Sequence, residues 1–173
     1  MSTIIRTYRD TDLGTCRGLW VQLTEWHRTI YDSPGIGGDD PGKQFDGHLK
    51  RVGTDHIWLA ESNGDVVGMA GLIHEPDEGT EGTIEMEPII VTPAARGTGV
   101  GRLLVEHVID VARSLDERDL NVRVVGGNAE AIRFYHDLGF DTIGYIELFR
   151  DTRPLDDQPW HKGETIADRR FRV

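Results

Sequence analysis

Apolar residues recur with a helical period through the first part of the chain. After Asp10, a residue suited to cap a helix, apolar side chains return every three or four positions, the spacing of one helix face. They are Leu13, Cys16, Leu19, Trp20, Leu23 and Trp26. Residues 3–8 predict a first strand, and residues 43–52 predict a second helix. Residues 31–42 are rich in Gly, Pro and Asp and predict a loop, which either lines a substrate site or is a solvated connection.

The pattern then changes to two apolar runs, residues 57–61 and 66–73, separated by Ser62-Asn63-Gly64-Asp65. Asn-Gly between strand-like runs is a strong hairpin signal, so the runs are predicted to be antiparallel neighbours. Residues 74–82 follow with the acidic sequence HEPDEGTEG. This loop either steers a cationic group by its charge or is a solvated turn.

A strand, a glycine-rich turn and a helix follow one another in the middle of the chain. The β-branched run Ile89-Ile90-Val91 predicts the strand, and Gly97, Gly99 and Gly101 stand at alternate positions after it. From residue 101 to residue 116 the apolar residues return at helical spacing. The helix is therefore expected to begin at or within the glycine run.

A helix that begins at a glycine run is suited to bind a phosphate. Its first N–H groups lack intrahelical partners, its dipole is positive at that end, and glycines have no Cβ to keep an anion away. Arg96 and Arg102 add positive charge. The spacing is not that of a Walker A loop, because Arg102 and Leu103 stand where Gly and Lys are required. It fits the dinucleotide pattern GxGxxG poorly, because the third glycine comes one place early.

The last part of the chain predicts a buried strand over residues 120–125, a helix that Asn128 caps and Gly139 ends, and a final strand over residues 140–149. Residues 150–173 contain prolines and many charges, and we expect a largely irregular tail. Trp160 in this tail offers a contact to the domain or to a partner subunit.

Two motifs resemble those of one known family. They are Arg96-x-x-Gly99-x-Gly101, and the later run Asn128-x-x-Ala131-Ile132-x-Phe134-Tyr135-x-x-Leu138-Gly139-Phe140. Together with the predicted order βααβββαβαβ, they make residues 8–149 resemble the GNAT superfamily of acetyl-CoA-dependent N-acetyltransferases. The resemblance implies an α/β (α+β) fold with a single mixed, mostly antiparallel sheet, helices on both faces and a splayed central parallel strand pair. Residues 1–150 would form this domain and residues 151–173 the C-terminal tail.

The resemblance also implies which residues bind acetyl-CoA. Ile89, Ile90 and Val91 would offer main-chain groups to the pantetheine arm, and Asn128 would contact the cofactor with its side chain. The pyrophosphate would be held by the six residues Arg96, Gly97, Thr98, Gly99, Val100 and Gly101. Tyr135 would lie beside the thioester sulfur as general acid. Without the motif, Tyr135 would be interpreted as a core aromatic residue on an apolar helix face.

The reaction needs a base as well, because an ammonium group with a pKa near 10 must lose a proton before it attacks a thioester. Glu85 and Glu87 share one face of the predicted strand, since side chains alternate along a strand. Glu87 stands four residues before Val91, where some family members carry their base, and Glu85 is the second candidate. The alternative interpretation is an ordinary solvent-facing pair.

Composition narrows the choice of partners. The 173 residues are 38% hydrophobic, enough for one domain with a core, and the net charge of −11 argues against nucleic-acid and anionic-membrane partners. Cys16 is the only cysteine, so an intrachain disulfide is excluded and a cytoplasmic location is expected. We also expect no signal peptide and no membrane span. No metal site is expected, because the histidines lack metal-ligand spacing. His27, His107 and His136 are interpreted as ordinary residues of helix surfaces.

The sequence thus predicts direct transfer of an acetyl group to a primary amine of a small molecule or a side chain, in a ternary complex. Arg123 stands where the branch that acetylates protein N-termini commonly has a base glutamate, which disfavours that branch. Antibiotic, metabolite and lysine acceptors all remain open. Many family members dimerise, so a homodimer is compatible with the resemblance. The alternative function is a non-catalytic acyl-CoA-binding sensor.

Overall fold

The structure is a computed structural model that describes residues 3–74, 83–115, 119–148, 165–166 and 169–170. A five-stranded sheet runs in the order β1-β2-β3-β4-β5. Its strands are β1 (Thr3–Thr7), β2 (Ile57–Ser62), β3 (Asp65–Ile73), β4 (Thr83–Val91) and β5 (Asp119–Asn121). Neighbours from β1 to β4 are antiparallel and β5 is parallel to β4, so the predicted mixed sheet is confirmed. Two further short strands, β6 (Thr165–Ile166) and β7 (Arg169–Arg170), pair with each other in the tail.

Four helices pack against the sheet, namely α1 (Leu13–Ile30), α2 (Gln44–Val52), α3 (Val100–Ser114) and α4 (Ala129–His136). They contact it on two faces, because alternate residues of β2 enter different cores. Leu59 joins Leu19 of α1 and Phe45 of α2, whereas Trp58 joins Leu104 and Val108 of α3. Burying each such side chain contributes about 1.5–3 kcal/mol. No helix among the described residues has the length and apolar character needed to cross a bilayer.

The hairpin of β2 and β3 forms as the sequence predicts. Asn63 and Gly64 both have positive φ angles, +56° and +88°, which suit a tight turn between twisted strands. The start of α1 differs from the prediction. Residues Asp10–Asp12 form a 3-10 turn and α1 begins at Leu13, so Asp10 is not its N-cap. The Asp12 carboxylate instead accepts hydrogen bonds from the Arg6 guanidinium at 2.8 and 2.9 Å, which ties the turn to β1.

A β-bulge interrupts β4 at Glu87 and Pro88. Ala70 pairs with Ile89 and Leu72 with Met86, so these two residues of β4 lie opposite the single residue Gly71. A Cβ on Gly71 would lie 2.5 Å from the Glu87 carbonyl oxygen, so only glycine fits there without a shift of the backbone.

The bulge changes which alternate residues of β4 face α3. Ile84 and Met86 enter the core beneath α3, and beyond the bulge Ile89 and Val91 pack there instead. Ile90 enters the other core, beneath α1 and α2. Because side chains alternate along each half of the strand, Glu85 and Glu87 lie on the α1/α2 face.

The parallel strands β4 and β5 pair only at their beginnings. The last paired residues are Glu85 and Asn121, and residues 122–125 form no strand, although a strand is predicted over residues 120–125. Beyond Glu85, β4 is paired on its β3 side alone within the described part of the chain. The predicted separation of the central parallel pair is therefore confirmed, and it begins at Glu85.

The predicted final strand is wrong for residues 140–148, which are irregular. Alternating apolar residues suggested a strand, but no strand among the described residues pairs with this segment, and the apolar side chains of residues 141–148 are exposed. Ile143 is 76% exposed and Tyr145 fully exposed. The pattern therefore has no sheet neighbour to bury it. Residue 149, the segment 75–82 that the sequence predicts as part of an acidic loop, and most of the tail lie outside the described residues.

Candidate functional site

Helix α3 begins without a side-chain cap. Its N-cap is Gly99, in the left-handed conformation with a φ of +92°, and a glycine has no side chain that could bond to the first turn. Gly97 also has a positive φ of +74°. Within the turn, the Thr98 hydroxyl donates a hydrogen bond of 2.7 Å to the Ala95 carbonyl. The first N–H groups of α3 are thus left for an external acceptor, as an anion site requires.

The three glycines serve different purposes. Gly97 and Gly99 supply positive φ angles, which residues with a side chain rarely adopt. At Gly101 the reason is packing, because a Cβ there would lie 3.3 Å from Cζ of Phe134 and 3.6 Å from Cγ2 of Val91. The start of α3 is therefore pressed against both β4 and α4. The sequence analysis explained all three glycines by phosphate access alone and did not predict this packing contact.

Arg96 lies at the entrance of the turn in a defined position. Its Nε donates a hydrogen bond of 3.2 Å to the Val91 carbonyl, and its guanidinium carbon lies 5.1 Å from the centre of the Trp26 ring. Trp26 belongs to the last turns of α1, so a helix of the opposite face of the sheet reaches the glycine turn. Arg102, by contrast, is exposed, and among the described residues it forms only a long ion pair of 3.5 Å with Glu106.

Tyr135 lies on α4 on the same side of the sheet as Ile89 and Val91. Its ring packs between Phe134 and Phe140, with centroids 5.2 and 5.7 Å away. Burial raises the pKa of Tyr135 well above its ordinary value of 10.0, so the hydroxyl keeps its proton at neutral pH. A protonated hydroxyl at this position can donate a hydrogen bond to a developing anion.

Asn128 is the N-cap of α4, as the sequence predicts. Its side-chain oxygen accepts a hydrogen bond of 3.1 Å from the Ala131 N–H. The capping bond occupies the carbonyl oxygen and fixes the direction of the side chain, which leaves the amide nitrogen as the group that could reach a ligand.

The two candidate bases differ in their surroundings. The Glu85 side chain is 13% exposed and its carboxylate lies 3.0 Å from the Arg123 guanidinium. Burial raises the pKa of Glu85, and the charge of Arg123 opposes that shift. Glu87 is exposed. Glu85 is thus held in an ion pair, whereas Glu87 has a carboxylate that solvent reaches.

Two histidines, His27 of α1 and His48 of α2, lie near Glu87. Burial lowers the pKa of both imidazoles, and the negative charge of Glu87 opposes the shift in each case. His48 is 8% exposed, and its Nε2 has no hydrogen-bond partner within the described part of the chain. The sequence missed this cluster because Glu87, His27 and His48 are far apart along the chain and lie on three different elements.

The residues predicted from sequence therefore fall into two groups on opposite faces of β4. The first group surrounds the start of α3 and the gap beside β4, and it consists of the turn of residues 96–101, Ile89, Val91 and Tyr135. Glu85 and Glu87 lie on the α1/α2 face, as does Ile90, which the sequence placed with the first group. Among the described residues no cluster of three or more potential metal ligands was found.

Comparison with known proteins identifies a matching family model and several relatives of this chain. The family model described as "Acetyltransferase (GNAT) family" matches residues 20–140. Streptothricin acetyltransferase of Streptomyces lavendulae is 34% identical over 83 residues, 48% of this chain and 42% of that protein. The L-methionine sulfoximine/L-methionine sulfone acetyltransferase of Salmonella typhimurium is 34% identical over 85 residues, 49% of each protein. The chain spans about half the length of the curated relatives it matches, or less.

Solved structures share the fold. AAC(6')-Iy in complex with a CoA bisubstrate analogue has a TM-score of 0.63 and 23% identity, over 87% of this chain and 99% of that one. The ribosomal-protein-alanine N-acetyltransferase from Brucella melitensis has a TM-score of 0.63 and 25% identity, over 82% of this chain and 86% of that one.

Proposed function

Because this chain belongs to the GNAT family of acetyltransferases, we propose that it transfers an acetyl group from acetyl-CoA to a primary amine of a small molecule or a side chain. The observation that carries the proposal is the uncapped start of α3 at Gly99, next to Arg96 and to the gap where β5 leaves β4. This region combines an anion site with a strand edge that has no described partner. Coenzyme A needs both, because its pyrophosphate is an anion and its pantetheine arm is an extended chain with amide groups.

The cofactor side would be built from residues of β4 and α3. The pyrophosphate would accept hydrogen bonds from the first N–H groups of α3 and from the terminal nitrogens of Arg96. The pantetheine arm would lie along Ile89, Ile90 and Val91, in the space beyond Glu85 where β4 has no described neighbour on its β5 side. Bound acetyl-CoA supplies the activated thioester carbonyl, and an N–H of β4 would donate to its oxygen as negative charge develops there.

On the acceptor side, Glu87 would take the proton of the ammonium group, directly or through a water molecule. We favour Glu87 over Glu85 because the Glu85 carboxylate is paired with Arg123 at 3.0 Å. The neighbouring histidines, His27 and His48, are both driven toward the neutral form by burial. A neutral imidazole can accept a proton or a hydrogen bond, so these residues suit a pocket that receives a cationic amine.

Tyr135 would act on the leaving group. Its hydroxyl stays protonated because burial raises its pKa. It would donate a hydrogen bond to the sulfur as the carbon–sulfur bond breaks, when negative charge moves to that atom. The amine proton would leave toward Glu87 on the other face of β4. The group that accepts a proton, Glu87, and the group that donates one, Tyr135, would thus lie on opposite faces of the strand.

Titration calorimetry with acetyl-CoA, followed by a thiol-release assay over a panel of amines, tests this function. The panel should contain streptothricin, methionine sulfone, an aminoglycoside, a diamine and a lysine peptide, the first two of which are suggested by the relatives. We expect micromolar binding and thiol release with one amine class. Absence of acetyl-CoA binding would refute the function, and binding without release across the panel would favour an acyl-CoA sensor.

A further inference from the structure

We propose that Trp26 is a positioning residue that holds the Arg96 guanidinium for the cofactor pyrophosphate, so that α1 contributes to cofactor binding as well as to the acceptor side. The inference rests on the proposed function, since it requires that acetyl-CoA binds at the start of α3. It concerns a residue that the sequence pattern assigned to the buried face of a helix.

The geometry of Arg96 constrains the guanidinium on two of its surfaces. Nε donates a hydrogen bond of 3.2 Å to the Val91 carbonyl, and the central carbon Cζ lies over the Trp26 ring, 5.1 Å from its centre. The two terminal nitrogens have no hydrogen bond or ion pair within the described part of the chain. A planar guanidinium held in this way keeps both terminal nitrogens as donors for a ligand, and such a fork binds a phosphate through two hydrogen bonds.

Trp26 does not have the environment of a core residue. Trp26 is 37% exposed, and it belongs to neither of the two hydrophobic cores on the faces of the sheet. Trp20, on the same helix, is half-buried and packs on Phe45 and His48. More than a third of this large aromatic residue is left in solvent, and its contact with Arg96 is the interaction that distinguishes it.

The arrangement has a physical benefit for binding. A free arginine side chain has many rotamers, and fixing it on a ligand costs conformational entropy. Stacking on Trp26 restricts these rotamers before the ligand arrives, so less entropy is lost on binding. The negative face of the indole ring also favours the charged group without competing for its N–H donors, as a carboxylate would.

The test compares two ligands that differ in the pyrophosphate. Affinities for coenzyme A and for pantetheine, which lacks the pyrophosphate and the nucleotide, are measured on wild type, Trp26→Leu, Arg96→Gln and the double variant. Coenzyme A is titrated by calorimetry and pantetheine by its displacement of coenzyme A. We expect Trp26→Leu to weaken coenzyme A roughly three- to tenfold, in the range of a cation–π contact, and to change pantetheine affinity less than twofold. Trp26→Phe should retain most of the affinity.

The double variant decides whether Trp26 acts through Arg96. If it does, Trp26→Leu adds little to Arg96→Gln, whereas Trp26→Leu combined with the control Arg102→Gln shows the product of the single effects. Equal loss of pantetheine and coenzyme A affinity, or a full Trp26→Leu effect in the Arg96→Gln background, would overturn the proposal. Thermal melting of each variant checks folding, and failure of wild type to bind coenzyme A would instead refute the proposed function.

Discussion

The Arg123 guanidinium lies 3.0 Å from the Glu85 carboxylate, at the point where β4 and β5 separate. Glu85 is the last residue of β4 that pairs with β5, and Arg123 follows two residues after the end of β5. The ion pair therefore joins the two strands just before the gap opens. It also occupies the carboxylate that would otherwise compete with Glu87 as base.

The pair should make stability depend on pH. Burial raises the pKa of Glu85 above its ordinary value of 4.5, so ionisation of Glu85 costs folding free energy as the pH rises through that range, and Arg123 offsets part of this cost. Arg123→Gln should lower the unfolding free energy by about 0.5–1 kcal/mol at pH 7. The difference from wild type should shrink toward pH 4, where the carboxyl becomes neutral.

Urea unfolding of both proteins at several pH values measures this difference. Arg113→Gln is the matched control, because Arg113 and Asp110 form an ion pair in which both side chains are about three-quarters exposed. The control should change stability little at any pH. A loss in Arg123→Gln that stayed the same from pH 7 to pH 4 would contradict the coupling to Glu85.

The two glutamates should differ in catalysis. Glu87→Gln should lower kcat at least tenfold, and up to about 10⁴-fold, because it removes the group that takes the amine proton. Its coenzyme A affinity should stay within about twofold, since Glu87 lies on the face of β4 away from α3. Glu85→Gln should have the smaller effect on kcat. Initial rates with the acceptor found in the amine panel measure both, and the reverse order would make Glu85 the base.

Tyr135→Phe removes one hydroxyl from a buried ring and should lower kcat at least tenfold with little change in coenzyme A affinity. The ring contacts with Phe134 and Phe140 remain, so melting temperature should be nearly unchanged. Tyr145→Phe is the control, because Tyr145 is fully exposed. Normal turnover of Tyr135→Phe would remove this hydroxyl from the mechanism.

Gly99→Ala should lower the unfolding free energy by about 1–2 kcal/mol, because a Cβ is strained in the left-handed conformation. It should also weaken coenzyme A binding, since the strain is relieved by moving the N–H groups of the turn. Gly99→Val should abolish coenzyme A binding. Gly47→Ala is the control, as Gly47 lies inside α2 with open space around it and should stabilise the protein by about 0.5–1 kcal/mol. A folded Gly99→Val variant that bound coenzyme A tightly would refute the anion site.

Local signals in the sequence were sufficient for much of the fold. The Asn63-Gly64 turn, the glycine run, the Asn128 cap and the positive φ of Gly139 each depend on residues that are close in the chain, and all four are found in the structure. The predicted start of α1 at Asp10 failed because Arg6 in β1 engages the Asp12 carboxylate and a 3-10 turn forms first.

Contacts between distant segments could not be predicted in this way. Trp26 was assigned to a buried helix face because its spacing fits one, yet the helix is long enough for its last turns to leave the core and reach Arg96. The approach of His27 and His48 to Glu87 depends on how α1 and α2 pack on β4. The change of faces beyond Pro88 depends on the β-bulge, which has no pattern of its own beyond a proline in a strand. The alternation over residues 140–148 was present, but a strand also needs a neighbour.

The β-bulge at Glu87 and Pro88, opposite Gly71, divides β4 into two stretches that can change independently. Substitutions at residues 85 and 87 alter what faces α1 and α2, while residues 89 and 91 keep their place beside α3. Substitutions on the α1/α2 face that spare the candidate base Glu87 would therefore change the side chains proposed to meet the acceptor and leave the residues proposed to bind the cofactor in place. Gly71 itself, on a strand with no candidate site residue, becomes the position where such adaptation is least tolerated.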